Sequence, residues 1–256
     1  MSHKDHYYNK AKQEGYRARS AYKLAQIDDQ VGLLDAGDTV LDLGAAPGGW
    51  LQVAAERVGD GGRVLGVDFQ RIDPLDADTV TTIRGDMTEA DTQERIAAEA
   101  PDGVDVVVSD MAPNMTGEYD LDHARSVHLA RTAFEVAEDL LVSGGNLAVK
   151  VFEGRDLDAF VEDVEDTFDK VSIVRPAASR ESSSEVYVVG IGYLTAPVAE
   201  GDRLTVEIEA EGEDGDGIAY VEGYTLFVPG ATVGEAVEIE IEGVKPNFGF
   251  ARRVEN

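Results

Sequence analysis

The sequence predicts an α/β fold, a seven-stranded mostly parallel sheet with helices on both faces, followed by a small all-β barrel. Three observations carry this. Between residues 38 and 195, short apolar β-rich runs alternate with helical patterns. One strand-to-helix turn is glycine-rich: Asp42-Leu43-Gly44-Ala45-Ala46-Pro47-Gly48-Gly49-Trp50. From Asp202 onward the helical period disappears, and short strand runs follow one another between Gly/Asp turns.

Residues 1–37 form a basic segment rich in tyrosine (Tyr7, Tyr8, Tyr16, Tyr22), with a helix predicted over 20–28. The first 25 residues hold six bases (Lys4, Lys10, Lys12, Arg17, Arg19, Lys23) and two acids, whereas the remaining 231 hold 16 bases and 49 acids. Interleaved bases and aromatics suit phosphates and nucleotide bases. A solvated N-terminal helix accounts for the same residues equally well.

The α/β domain, 38–195, has predicted strands at 39–43, 63–67, 79–83, 104–109, 146–152, 171–174 and 185–193. Helices are predicted at 48–58, 91–99, 121–142 and 156–168. Only the short link 175–184 joins the last two strands, which predicts an antiparallel pair at the sheet edge. Residues 196–200 read as a linker, and 201–256 as the barrel, with strands at 203–210, 217–221, 224–228 and 236–243 before the run 247–253.

Composition narrows the chemistry. The chain of 256 residues has no cysteine, which excludes disulfides, thiolate zinc sites, iron–sulfur clusters and a cysteine nucleophile. No segment approaches the roughly 20 apolar residues of a membrane span, and no secretion signal is visible, so a cytoplasmic protein is expected. The formal charge is −29, from 51 acids and 22 bases. These acids are spread along the chain, as in proteins of salt-loving organisms. At about 1 M salt the Debye length falls to roughly 3 Å, so the charge does not exclude a nucleic-acid partner.

The glycine turn and Asp68, twenty residues past Gly48, have the layout of a βαβ nucleotide site, in which the acid accepts hydrogen bonds from a ribose diol. Pro47 has no N–H and interrupts a phosphate-cradling series. A ligand with a ribose and no phosphate fits better, and S-adenosylmethionine is the common one. The bland alternative is glycines used only for packing. Asp42, Asp68, Asp86 and Asp110 all fall at or just after strand ends, where open α/β sheets build their sites. Lys150 interrupts the apolar strand Asn146–Phe152, where a lysine is costly to bury unless paired. Glu185 opens the final strand of the sheet, and Lys23 lies in the N-terminal helix. The four histidines offer no credible ligand set, and no catalytic metal is expected.

Five runs carry a resemblance: Arg19-Ser20-Ala21-Tyr22-Lys23-Leu24 within the segment from Arg17, the glycine turn, Ser109-Asp110-Met111-Ala112-Pro113-Asn114-Met115-Thr116-Gly117, Val149-Lys150-Val151-Phe152, and Ser183-Ser184-Glu185-Val186-Tyr187. Over about residues 10–195 the chain resembles the FtsJ/RlmE-type ribosomal RNA 2′-O-methyltransferases. The resemblance implies a Rossmann-like class I methyltransferase fold and S-adenosylmethionine as cofactor. It also implies a Lys-Asp-Lys-Glu tetrad on Lys23, Asp110, Lys150 and Glu185, with Lys150 as proton acceptor. Cofactor positions then fall on Gly48, Trp50, Asp68, Asp86 and Asp110; Trp50 reads equally well as a core aromatic. The implied substrate is a uridine ribose in 23S rRNA of the large ribosomal subunit. Asp216-Gly217-Ile218-Ala219-Tyr220 and Gly249-Phe250-Ala251-Arg252 resemble the TRAM domain, a small RNA-binding barrel, although a structural or dimerisation barrel is also open.

RNA contacts are expected from Lys10, Lys12, Arg17, Arg19 and the barrel of a monomer. Replacing Arg17 and Arg19 by Glu is expected to weaken RNA binding and leave cofactor affinity unchanged. Independently of any family, a ribose hydroxyl is a weak nucleophile that must be aligned and deprotonated. A lysine can take that proton only in its neutral form, which burial near a second cation favours and neighbouring carboxylates oppose. The alternatives are 2′-O-methylation of tRNA or another RNA, and a non-catalytic ribosome-assembly factor.

Overall fold

The computed structural model describes residues 3–180, 183–212, 215–245 and 247–254. It divides into two units, Met1–Tyr193 and Leu194–Asn256.

The first unit opens with α1 (His3–Glu14) and α2 (Ala21–Val31). The sheet strands are β1 (Thr39–Leu43), β2 (Arg63–Asp68), β3 (Val80–Arg84), β4 (Val104–Ser109), β5 (Leu141–Phe152), β6 (Phe168–Val174) and β7 (Glu185–Tyr193). Their order is β3-β2-β1-β4-β5-β7-β6, with β7 antiparallel to both β5 and β6. Helices α3 (Gly49–Val58), α4 (Ala90–Glu99), α5 (Tyr119–Leu140) and α6 (Leu157–Glu165) complete the unit.

Strands covered on both faces read as continuous apolar runs, and successive residues serve opposite faces. Val107 therefore joins a cluster with Leu43, Phe134 and Phe160, while Val106 and Val108 join Leu24, Ile27, Trp50 and Tyr187 on the other side. The chain order reverses across β1 and β4, which places a crevice at their carboxyl ends.

The seven-stranded sheet with its terminal reversal agrees with the sequence reading. Three details differ. Helix α1 was not foreseen: His3–Glu14 is polar almost throughout and offers little apolar period. Strand β5 begins at Leu141, not 146, because Leu141 pairs with Val104 before a register shift. Strand β6 begins at Phe168, whose buried ring packs on the sheet, so the helix before it ends at Glu165.

The second unit is a curled six-stranded sheet of β8 (Arg203–Glu207), β9 (Ala210–Glu211), β10 (Gly217–Val221), β11 (Tyr224–Val228), β12 (Ala236–Val244) and β13 (Phe248–Arg253). The order β8-β12-β13-β11-β10-β9 puts two chain-consecutive strands at opposite ends, which is how the sheet curls on itself. Strand β12 shows the period-two pattern: Val237, Ile239 and Ile241 are buried, and Glu238 and Glu242 are exposed. The barrel arginines face acids, Arg203 and Arg252 on Glu240 and Arg253 on Glu235.

Candidate active site

The glycine turn shapes the crevice. Gly44 has φ of 80°, and a Cβ there would stand 2.4 Å from Met111 Cγ, so only glycine lets the loops after β1 and β4 approach this closely. Gly48 caps α3 in the left-handed region, at φ of 104°. Asp68, at the end of β2, accepts from the Ala46 N–H (3.0 Å) on one oxygen and from the Gln70 N–H (2.7 Å) on the other. Each oxygen keeps a second lone pair for a ligand.

A cleft of about 560 Å³ opens there, lined by Asp68, Asp86 and Asp110 together with Gly44, Phe69, Met87, Met111 and Asn114. That volume suits a nucleoside-sized ligand. The Thr88 backbone N–H and hydroxyl both donate to one oxygen of Asp86 and hold its carboxyl below the usual range.

Asp110 joins the cleft to a second cluster. Burial alone would raise its pKa. Lys150, Lys23 and hydrogen bonds from Tyr187 and Lys150 outweigh that and hold the group ionised. Lys150 Nζ stands 2.9 Å from Asp110 Oδ1 and also donates to the Asp110 carbonyl. Lys23 Nζ reaches the same oxygen at 3.6 Å and Glu185 Oε1 at 2.8 Å. The Tyr187 hydroxyl donates to Asp110 Oδ1 at 2.6 Å. Burial, with the charges of Asp110 and Glu185, pushes the tyrosine well above its usual pKa, so it remains a donor. Lys23, Asp110, Lys150 and Glu185 thus come from four distant stretches of chain into one network, and Lys23, Lys150 and Glu185 are each under 10% exposed.

Asp42 lies beside them. It is 1% exposed, and neither carboxylate oxygen has a hydrogen-bond partner. Burial, then the charges of Asp110 and Asp68, push its pKa well above the carboxylate range. It faces a small cavity of about 40 Å³ shared with Gly49, Trp50 and Asp110. Its place at a strand end singled it out in the sequence, but nothing there revealed that it lacks a partner. Tyr187 was missed as a partner of Asp110; the signal available was its position two residues after Glu185, on the same strand face.

Gly48 and the Trp50 ring do not line the larger cleft. The Trp50 ring is 3% exposed, donates from Nε1 to the Ser20 carbonyl (2.7 Å) and packs on Tyr187. The ring thus sits in the core, while Trp50 also lines the small cavity beside Asp42.

The N-terminal bases divide into two kinds. Lys10 and Lys12 are at the surface of α1. Arg17 instead donates to the carbonyls of Pro47 (3.1 Å), Asp73 (2.5 Å) and Pro74 (2.5 Å), and Arg19 donates to Ala178 O (2.5 Å). Arg17 therefore ties the glycine turn to the loop after β2. Its guanidinium thus faces main-chain carbonyls of those two segments.

No helix among the described residues is long and apolar enough to cross a membrane. Residues 16–193 match the FtsJ-like methyltransferase family and residues 197–254 the TRAM domain. A protein of Halorubrum lacusprofundi named ribosomal RNA large subunit methyltransferase E is 65% identical across all of this chain and 95% of its own. One of the same name from Halobacterium salinarum is 59% identical over 98% of this chain and 97% of its own. A crystal structure of a ribosomal RNA methyltransferase from Plasmodium falciparum matches with a TM-score of 0.63 at 26% identity, over 71% of this chain and all of that one. With this architecture and these matches, the chain belongs to the FtsJ-like methyltransferase family and carries a TRAM domain behind its catalytic unit.

Proposed function

We propose that this methyltransferase transfers the methyl group of S-adenosylmethionine to the ribose 2′-hydroxyl of a uridine in 23S rRNA of the large ribosomal subunit. The observation that carries the reading is the position of Asp110. It lines the cleft and is also the shared acceptor of Lys150 and Lys23. A cofactor seated against it would have its reactive group beside the paired lysines.

The residues present fit the cofactor. Asp68 retains lone pairs for ribose hydroxyls, and Asp86 leaves one oxygen for a donor such as an exocyclic amine. The unpartnered Asp42 supports a cationic group in the small cavity, and an α-ammonium is such a group. When bound, S-adenosylmethionine supplies a methyl already activated on a sulfonium. The chain's own task is to align the hydroxyl oxygen and receive its proton. Lys150, in its neutral form, is the acceptor. Asp110 fixes the direction of Lys150 Nζ, while Lys23 adds a second positive charge on the same oxygen and is itself held by Glu185. Lys10, Lys12 and the TRAM barrel are the proposed RNA contacts.

The test is incubation in high salt with labelled S-adenosylmethionine, unmodified large subunits and total tRNA, beside Lys150→Ala. Label in one large-subunit ribose, absent with the variant, is the expected result. Label in tRNA alone would keep the chemistry and replace the substrate. No label anywhere, with cofactor bound, would favour an assembly factor.

A further inference from the structure

His123 lies outside the tetrad, is 3% exposed and has both ring nitrogens engaged. Nε2 stands 3.2 Å from the Asp156 backbone N–H, which can only donate, so Nε2 accepts. The proton is therefore on Nδ1, which donates to the Phe152 carbonyl at 3.0 Å. Ser126, one turn along α5, accepts from the Phe152 N–H at 3.0 Å and donates to the His123 carbonyl at 2.8 Å. A Cβ on Gly154 would stand 2.4 Å from His123 Nδ1, so the chain is bare where the ring rests against it.

These contacts sit where the sheet needs them. The pairing of β4 with β5 ends at Ser109 and Val149, while β5 continues through Lys150, Val151 and Phe152, paired only with β7. Beyond Val149 that strand lacks its second neighbour, and α5 takes both main-chain groups of Phe152 in its place. The residue before His123, Asp122, accepts from the Thr116 N–H (2.9 Å) and hydroxyl (2.8 Å) and from the Gly117 N–H (3.0 Å). One end of α5 thus holds the strand that carries Lys150 and the loop that leaves Asp110.

We infer that His123 is a positioning residue for Lys150, standing in for the missing strand and fixing the height of Lys150 against Asp110. This rests on Lys150 as proton acceptor. The charged groups facing the ring are Asp156, whose Oδ2 lies 3.4 Å from Nε2, and Arg155, which pairs with that same oxygen at 3.3 Å. Lys150 faces Asp110, with Lys23, Glu185 and the Tyr187 hydroxyl behind it.

The test compares the full chain with His123→Leu, His123→Asn, Ser126→Ala and Lys150→Ala in methyl transfer to unmodified large subunits. His123→Leu, which loses both hydrogen bonds, is expected to lower kcat by about tenfold or more, as displaced catalytic groups do. The cofactor KM stays constant, so the loss falls on kcat alone. His123→Asn keeps a donor near the Nδ1 position and restores much of kcat. Ser126→Ala shows the same kind of change to a smaller extent, and decides the matter if His123→Leu does not fold. Wild-type kcat in both His123→Leu and Ser126→Ala, with Lys150→Ala inactive, would overturn the inference alone. An equal loss of kcat in the Leu and Asn variants would also overturn it, since the Asn variant keeps a donor for the Phe152 carbonyl. Full activity of Lys150→Ala would overturn the proposed chemistry as well.

Discussion

Lys23 and Lys150 share one acceptor: their Nζ atoms stand 3.6 and 2.9 Å from the same oxygen, Asp110 Oδ1. Two cations on one buried carboxylate oxygen repel each other and are tolerable only while that oxygen is ionised. Asp110→Asn removes the charge and keeps an acceptor for Tyr187. We expect kcat to fall by about 10²- to 10⁴-fold and stability by about 3 kcal/mol, as when one partner of a buried pair is lost. The pKa of Asp110 is lowered on folding, so its contribution is present above the ordinary value of about 3.9 and lost as pH falls through the folded value. Melting temperatures measured from pH 2 to 6 should therefore fall less steeply on acidification in the variant.

Asp42 has the opposite sign. Its pKa is raised on folding, so its contribution is present below about 3.9 and lost as pH rises toward the folded value. Asp42→Asn should melt higher than the parent at neutral pH, with the gain shrinking toward pH 4. The same variant should bind S-adenosylhomocysteine more weakly by calorimetry. A more stable protein with unchanged affinity would remove Asp42 from the cofactor site.

Arg17→Ala should weaken S-adenosylhomocysteine binding about tenfold without RNA present, the size of one charge-assisted hydrogen bond. The Pro47 carbonyl that it holds belongs to the glycine turn. Calorimetry on the full chain reads this directly, and an affinity equal to the parent's would return Arg17 to the RNA-facing bases.

Salt should stabilise the protein. With 51 acids against 22 bases, the charge repels itself wherever screening is weak. The melting temperature is expected to fall steadily as KCl is lowered below about 0.5 M, where the Debye length lengthens toward 10 Å. A salt-independent melting curve would contradict this.

The sheet was legible in the sequence because strands such as Val104–Ser109 and helices such as Gly49–Val58 differ in period and sit between glycine or proline turns. The carboxylates of the cleft were legible for a related reason: Asp68 and Asp110 follow apolar runs, and strand ends converge in this architecture. What was not legible depends on where side chains end. Arg17 reads as a surface base, and only the fold brings three carbonyls around its guanidinium. Trp50 reads as either contact or core, and only the fold brings its indole to the Ser20 carbonyl. His123 fits no motif, because its work is done on the backbone of a segment 29 residues away.

The ion pair of Lys23 and Glu185 joins the first helix after the N-terminal turn to the last strand of the catalytic unit. That strand slots between β5 and β6, both made before it. During synthesis, when domains fold in order from the N-terminus, the cleft side of the sheet is complete long before Glu185 emerges. The tetrad closes only with the final segment of the unit. A chain halted before residue 185 would carry the glycine turn, Asp68 and Asp110 yet lack the nearer partner of Lys23 and the hydroxyl of Tyr187. The cleft is thus encoded early in the unit and the ion-pair network around Asp110 is closed last.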